Sequence, residues 1–139
     1  MAYGNVEDFL MEKVGSPVQK EKVKFPRFKS PFVIQSLTAE KLDDLQKQAT
    51  RRVMNKKTHQ AVPETDQNKL TDLMMVNSVI FPDLNDERLQ KSWGVVANPA
   101  GVLKKMLSAG EYAELGEHVQ ALSGFDINDI NSLSETAKN

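Results

Sequence analysis

The side chains of this chain that could move a proton or bind a metal are few, and their spacing argues against both. His118 follows Glu114 by four residues, which would set two ligands on one helix face. Two ligands do not make a site, and Glu111, Glu114 and Glu117 together read as a solvated acidic face. His59 sits in a polar stretch with no acid or base placed beside it by spacing. Ser16, Ser36, Ser78, Ser92, Ser108 and Ser123 occur in no Gly-x-Ser-x-Gly turn, and no glycine-rich phosphate loop is present. With no cysteine, thiol nucleophiles, disulfides and Cys-ligated zinc are excluded, which suits a reducing compartment. No enzyme activity, cofactor or metal is expected; the chain reads as a binding protein.

Charge narrows the partner. The 18 basic and 19 acidic residues leave a net charge of -1, so no overall field draws the chain to nucleic acid or a membrane. The first fourteen residues carry Glu7, Asp8 and Glu12 with no run apolar enough for a signal peptide, and no stretch approaches the roughly 18 apolar residues of a membrane span. The expected site of action is the compartment of synthesis.

The elements that would present a binding surface are clearest after residue 86. Leu89 and Trp93 form an apolar i, i+4 pair closed by Gly94, where a left-handed residue ends a helix without a Cβ penalty. Asn98-Pro99 starts the next helix, Asn as cap and Pro in the first turn. Val102, Leu103, Met106 and Leu107 share its inner face. Ser108 and Glu111 have the spacing of a capping box. The helix they open buries Tyr112, Leu115, Val119 and Leu122 and stops at Gly124.

Earlier in the chain the pattern is weaker. Residues 6–14 predict a short amphipathic helix with Val6, Phe9, Leu10 and Val14 on one side, cut off by Gly15-Ser16-Pro17. So short a helix needs a dock, either on its own domain or on a neighbouring subunit or client. Residues 20–25 and 31–36 predict a β-hairpin with Pro26 and Pro31 at its turn or edge. Its row of Lys20, Lys22 and Lys24 fits an edge strand guarded against aggregation better than a single-stranded nucleic-acid groove. Thr38 caps a helix expected to run to Val53 on Leu42, Leu45, Ala49 and Val53. Residues 55–66 read as a polar, mobile excursion. A helix apolar nearly all round follows from Leu70 to Phe81, ends at Pro82-Asp83, and should be central. Met54, Met74, Met75 and Met106 could line an adaptable groove, although core filling is their commoner use.

The expected fold class is mainly α, a small helical domain with a short N-terminal β-hairpin. Residues 1–14 form an amphipathic N-terminal helix, residues 15–125 a single domain, and residues 126–139 a C-terminal tail with a short helix.

The succession of Trp93-Gly94-Val95, Asn98-Pro99, Lys104-Lys105-Met106-Leu107, Gly110-Glu111 and Leu122-Ser123-Gly124-Phe125 resembles the XkdN-like tail assembly chaperones of long-tailed phages. Val33-Ile34 through Thr38 and Val79-Ile80-Phe81-Pro82-Asp83 extend the resemblance over roughly residues 6 to 130. It implies a factor in the cytoplasm of the bacterial host, absent from the finished virion. That factor would hold the tape measure protein soluble while tail tube protein polymerises around it. Tape measure protein is then the expected partner, tail tube protein a second one, and a homo-oligomer, ring or spiral, the expected assembly. The candidate self-association or client-binding residues are Val6, Phe9, Leu10 and Val14 at one end and Ile127, Ile130 and Leu133 at the other. The alternative is a small nucleic-acid-binding phage or prophage regulator, with helices 86–94 and 99–107 as a helix-turn-helix and Lys104-Lys105 on phosphates. Against it, the second helix has no polar row to read bases.

Overall fold

Alternating burial organises the first sheet. In a computed structural model, which describes residues 3–124, β1 (Lys20–Val23) pairs antiparallel with β2 (Phe32–Gln35). Phe32 and Ile34 point into the core while Val33 and Gln35 are only partly covered, the period of two of a half-buried strand. Pro26 and Pro31 fall in the connection, off the ladder, as the sequence suggests. The register sets Lys20 against Gln35 and Val23 against Phe32.

A third strand, β5 (Val79–Phe81), pairs with the other side of β2 and gives the order β1-β2-β5. The sequence pattern places these residues at the end of a helix. In fact α3 (Gln67–Ser78) stops at Ser78, and Val79 turns extended with φ -76 and ψ 110. Neither Gly nor Pro marks the change, and β-branched Val79 and Ile80 suit a pleated surface well enough to leave the helix for an open strand edge.

The second correction concerns residues 50–65. Helix α2 (Ala39–Ala49) is capped by Thr38, whose side chain accepts from the Lys41 amide, but ends four residues before the expected Val53. Thr50 becomes extended and leads into β3 (Thr50–Met54), which pairs antiparallel with β4 (Ala61–Thr65) as a separate two-stranded sheet. The supposed polar excursion is therefore largely a hairpin. Pro63 opposes Arg52 there, tolerated because each strand has only one neighbour and a missing amide costs no second ladder.

Of the described residues 49% are helical and 17% are in strands, in sheets of three and two strands. The fold is mixed α/β, not mainly helical with one short N-terminal hairpin. After β5 come α4 (Glu87–Ser92), α5 (Pro99–Met106) and α6 (Ala109–Ser123). Their boundaries are chemically explicit. Asp86 accepts from the Leu89 amide, Asn98 from the Gly101 amide, and Ser108 from the Glu111 amide while Glu111 reaches back. Gly94 and Gly124 take the left-handed conformation, with φ 69 and 82.

Two cores result. The larger one joins Phe32 and Ile34 of the sheet to Met75 of α3, Val102, Leu103 and Met106 of α5, and Leu115 and Val119 of α6. Phe25 and Phe28 stand edge-on to Phe32, with centroids 5.7 and 5.2 Å away, the favoured geometry for aromatic pairs. The smaller core holds Leu37, Leu45, Ala49, Leu70 and Met74. Helix α3 packs against α2, α5 and α6, so it is central as expected.

Candidate interaction surface

The N-terminal arm forms from local bonds alone. Asn5 caps a 3-10 turn at Val6–Phe9 by accepting from the Glu7 amide, and the Asp8 carboxylate returns to the Asn5 amide. Leu10 is extended, with ψ 144, and separates this turn from α1 (Met11–Val14), which Gly15 ends at φ 74. The expected continuous helix over residues 6–14 is thus two single turns, because a span this short lacks enough internal bonds to repay nucleation. No residue of either turn is buried. Val6 is 72% exposed, Phe9 78%, Met11 76%, Val14 64% and Leu10 40%. The option that this segment docks on its own domain is not what the structure shows. Its apolar side chains are presented to solvent instead, which makes the segment a candidate interaction surface. Val6, Phe9, Leu10 and Val14 lie on one arm but not along one helix stripe. Ile127, Ile130 and Leu133 lie outside the described residues.

A second surface was not anticipated from the sequence. Phe28, Phe32, Phe81, Pro82, Leu89 and Met106 line a hollow of about 300 Å³, with Lys29 on its rim. A neighbouring hollow shares Phe81, Pro82 and Leu89 and adds Ile80 and Arg88. Phe81 remains 51% exposed between them. The only trace of this groove in the sequence is the clustering of Phe with Pro at 25–32 and 81–82, which contact one another through the third strand.

Several of the groups with chemical potential are tied up structurally. His118 Nδ1 lies 3.5 Å from a Glu21 oxygen, an ion pair only when the ring is protonated, and Glu114 is exposed. Among the described residues no group of three or more His, Asp or Glu side chains could hold a metal. Glu114 and Glu117 are solvated as expected, but Glu111 is gripped by Arg27. Lys104 donates to Asp72 at 2.7 Å, and Tyr112 donates to the other Asp72 oxygen at 2.9 Å, joining α3, α5 and α6. Burial, and then the Asp72 hydrogen bond, push the Tyr112 hydroxyl well above its ordinary pKa. A Lys104 engaged in this way is poorly placed to serve a helix-turn-helix. Lys20 and Lys22 are exposed on edge strand β1, where lysines deter edge-to-edge pairing. Met74, Met75 and Met106 are core residues, and Met54 is exposed. No helix among the described residues is long and apolar enough to cross a membrane.

Comparison with known proteins agrees on one family. The family model of phage XkdN-like tail assembly chaperone proteins matches residues 6–138. The phage-like element PBSX protein XkdN of Bacillus subtilis (strain 168) is 30% identical over 145 residues, covering 97% of this chain and 96% of that protein. The uncharacterized protein YqbN of the same strain is also 30% identical, over 92% of this chain and 85% of its own length. A crystal structure of the protein YqbN superposes with a TM-score of 0.70 at 20% identity, over 90% of this chain and all of that one, and so shares the fold. The chain belongs to the phage XkdN-like tail assembly chaperone family.

Proposed function

We propose that this chaperone binds the tape measure protein and keeps it soluble while tail tube protein polymerises around it. The observation that carries this reading is the arm, where Val6, Phe9, Met11 and Val14 are held in preformed turns yet buried against nothing in their own domain. A long helical client with apolar seams needs many reversible covers rather than one tight one. Copies of this chain, arrayed head to tail as a ring or spiral, would supply them, with weak single contacts and strong summed occupancy. Tail tube subunits, the second partner, then displace the copies one at a time, and none remains in the virion. Ile127, Ile130 and Leu133 would add a second apolar contact for self-association. The setting is the cytoplasm of the bacterial host.

Co-expression with the tape measure gene of the same phage or prophage tests this. Tape measure protein should move to the soluble fraction and co-purify with the chaperone, and mass spectrometry of purified tails should find no chaperone. A tape measure protein that stays insoluble, with no co-purification, would overturn the reading.

A further inference from the structure

We propose that the arm of one copy, residues 3–14, seats in the groove around Phe81, Pro82 and Leu89 of a second copy. The proposal rests on the self-association in the reading above and names its two surfaces. Shape and polarity match first. The arm offers Val6, Phe9 and Met11 on short turns, and the groove offers an apolar hollow of about 300 Å³ floored by Phe32 and Met106.

Charge matches as well. The arm carries Glu7, Asp8 and Glu12 against Lys13 alone, while the groove rim carries Lys29 and Arg88. Neither cation, and neither Glu7 nor Glu12, has an ion-pair partner among the described residues. Asp83 and Asp86 line the neighbouring hollow with Arg88 and keep their charge while accepting from the amides of Asn85 and Leu89. The cation that most favours the acidic arm is therefore Lys29, the one charged residue lining the apolar hollow.

Topology selects a second copy over the same one. The arm enters the sheet at Lys20, which pairs with Gln35, and Gln19 is pinned there by Ser36 in both directions. The groove lies at the other end of β2, beside Phe32 and Phe81, and β1 and β5 are opposite edges of the sheet. The arm's point of attachment and the groove of one molecule therefore lie at opposite ends and edges of the sheet, an arrangement that suits a heterologous contact propagating from copy to copy.

Complementation between two full-length variants tests this by sedimentation velocity from micromolar to millimolar concentration. Wild type should grow in mass with concentration. Phe9→Asp, which removes the arm's anchor, and Phe81→Glu, which blocks the groove, should each weaken association at least about thirty-fold and stay monomeric. An equimolar mixture should form a heterodimer and stop there, because one intact arm meets one intact groove. A monomeric wild type, a mixture that stays monomeric, or either variant associating like wild type overturns the proposal. Should Phe81→Glu lose its circular dichroism, the exposed pair Lys29→Glu with Arg88→Glu replaces it, and mixing that variant with Glu7→Lys/Glu12→Lys should restore growth in mass with concentration, because both arm–groove contacts are then complementary. Tape measure capture by the wild-type chain separates the two ideas. Capture without complementation leaves the chaperone reading and removes the docking, and complementation without capture does the reverse.

Discussion

Arg27 and Glu111, 84 residues apart, meet in a two-armed ion pair in which Nε donates at 3.2 Å to one carboxylate oxygen and Nη2 donates to the other. Nη2 also donates to the Met106 carbonyl at 2.7 Å, so one guanidinium joins the hairpin connection to the end of α5 and the start of α6. The same carboxylate accepts the Ser108 amide as half of the capping box. The Arg27 hydrogen bond, followed by the Ser108 amide, lowers the Glu111 pKa from 4.5 to about 2.

A carboxylate whose pKa is lower folded than unfolded stabilises the fold above its unfolded value, and that contribution disappears as pH falls through the folded one. For Glu111 the window runs from 4.5 down to about 2. Glu111→Gln should lower Tm at neutral pH and flatten the acid decline within this window. Thermal melts of both proteins across it check the point; parallel curves would show that the pair adds nothing.

Trp93 packs against the larger core from a half-buried position just before Gly94. Trp93→Ala should cost about 2 to 3 kcal/mol, below the full cost for a completely buried aromatic. Urea unfolding measures this. A variant with unchanged stability that no longer captures tape measure protein would make Trp93 a contact residue instead.

Gln90 is buried and uses both ends of its amide, donating to the Leu84 carbonyl at 2.8 Å and accepting the Ala97 amide at 2.9 Å. Ala97 is held there at φ 49, a left-handed conformation costly for a residue with a Cβ. Gln90→Ala should destabilise by about 1 to 3 kcal/mol, since it orphans two groups. Ala97→Gly should stabilise by about 0.5 to 1 kcal/mol. Opposite signs in chemical denaturation are the expected result.

The Ser78 hydroxyl is fully buried with no hydrogen-bond partner. Ser78→Ala removes an unsatisfied polar group and should raise stability by about 1 kcal/mol. A loss of stability would mean that the hydroxyl has a partner in solution.

What could be read from the sequence follows from how local the determining bonds are. Asn98, Ser108, Glu111, Gly94 and Gly124 act within four residues of themselves, so the C-terminal helices and their ends were legible. The third strand was not. Val79-Ile80-Phe81 prolongs the apolar pattern of α3 without a break, and only the open edge of β2 makes it a strand. Val53 likewise continues the Leu42, Leu45, Ala49 stripe, and the strand that pairs with it lies in the polar stretch 55–66, whose residues show no strand alternation. The apolar content of the arm was visible, its division at Leu10 was not. The groove draws on residues 28–32, 81–82, 89 and 106, a neighbourhood that exists only after folding.

Met74 and Met75 are neighbours in the chain but belong to different cores, which makes α3 a common wall between two unequal compartments. The smaller compartment holds five buried side chains from α2, α3 and the segment before α2, and neither α2 nor the β3–β4 hairpin beside it places a residue in the larger one. Less apolar area resists its opening, so α2, with the hairpin that follows it, is expected to detach below the global unfolding free energy. Amide hydrogens of α2 will therefore exchange with solvent sooner than those of α5, and α3 itself will exchange unevenly around its circumference.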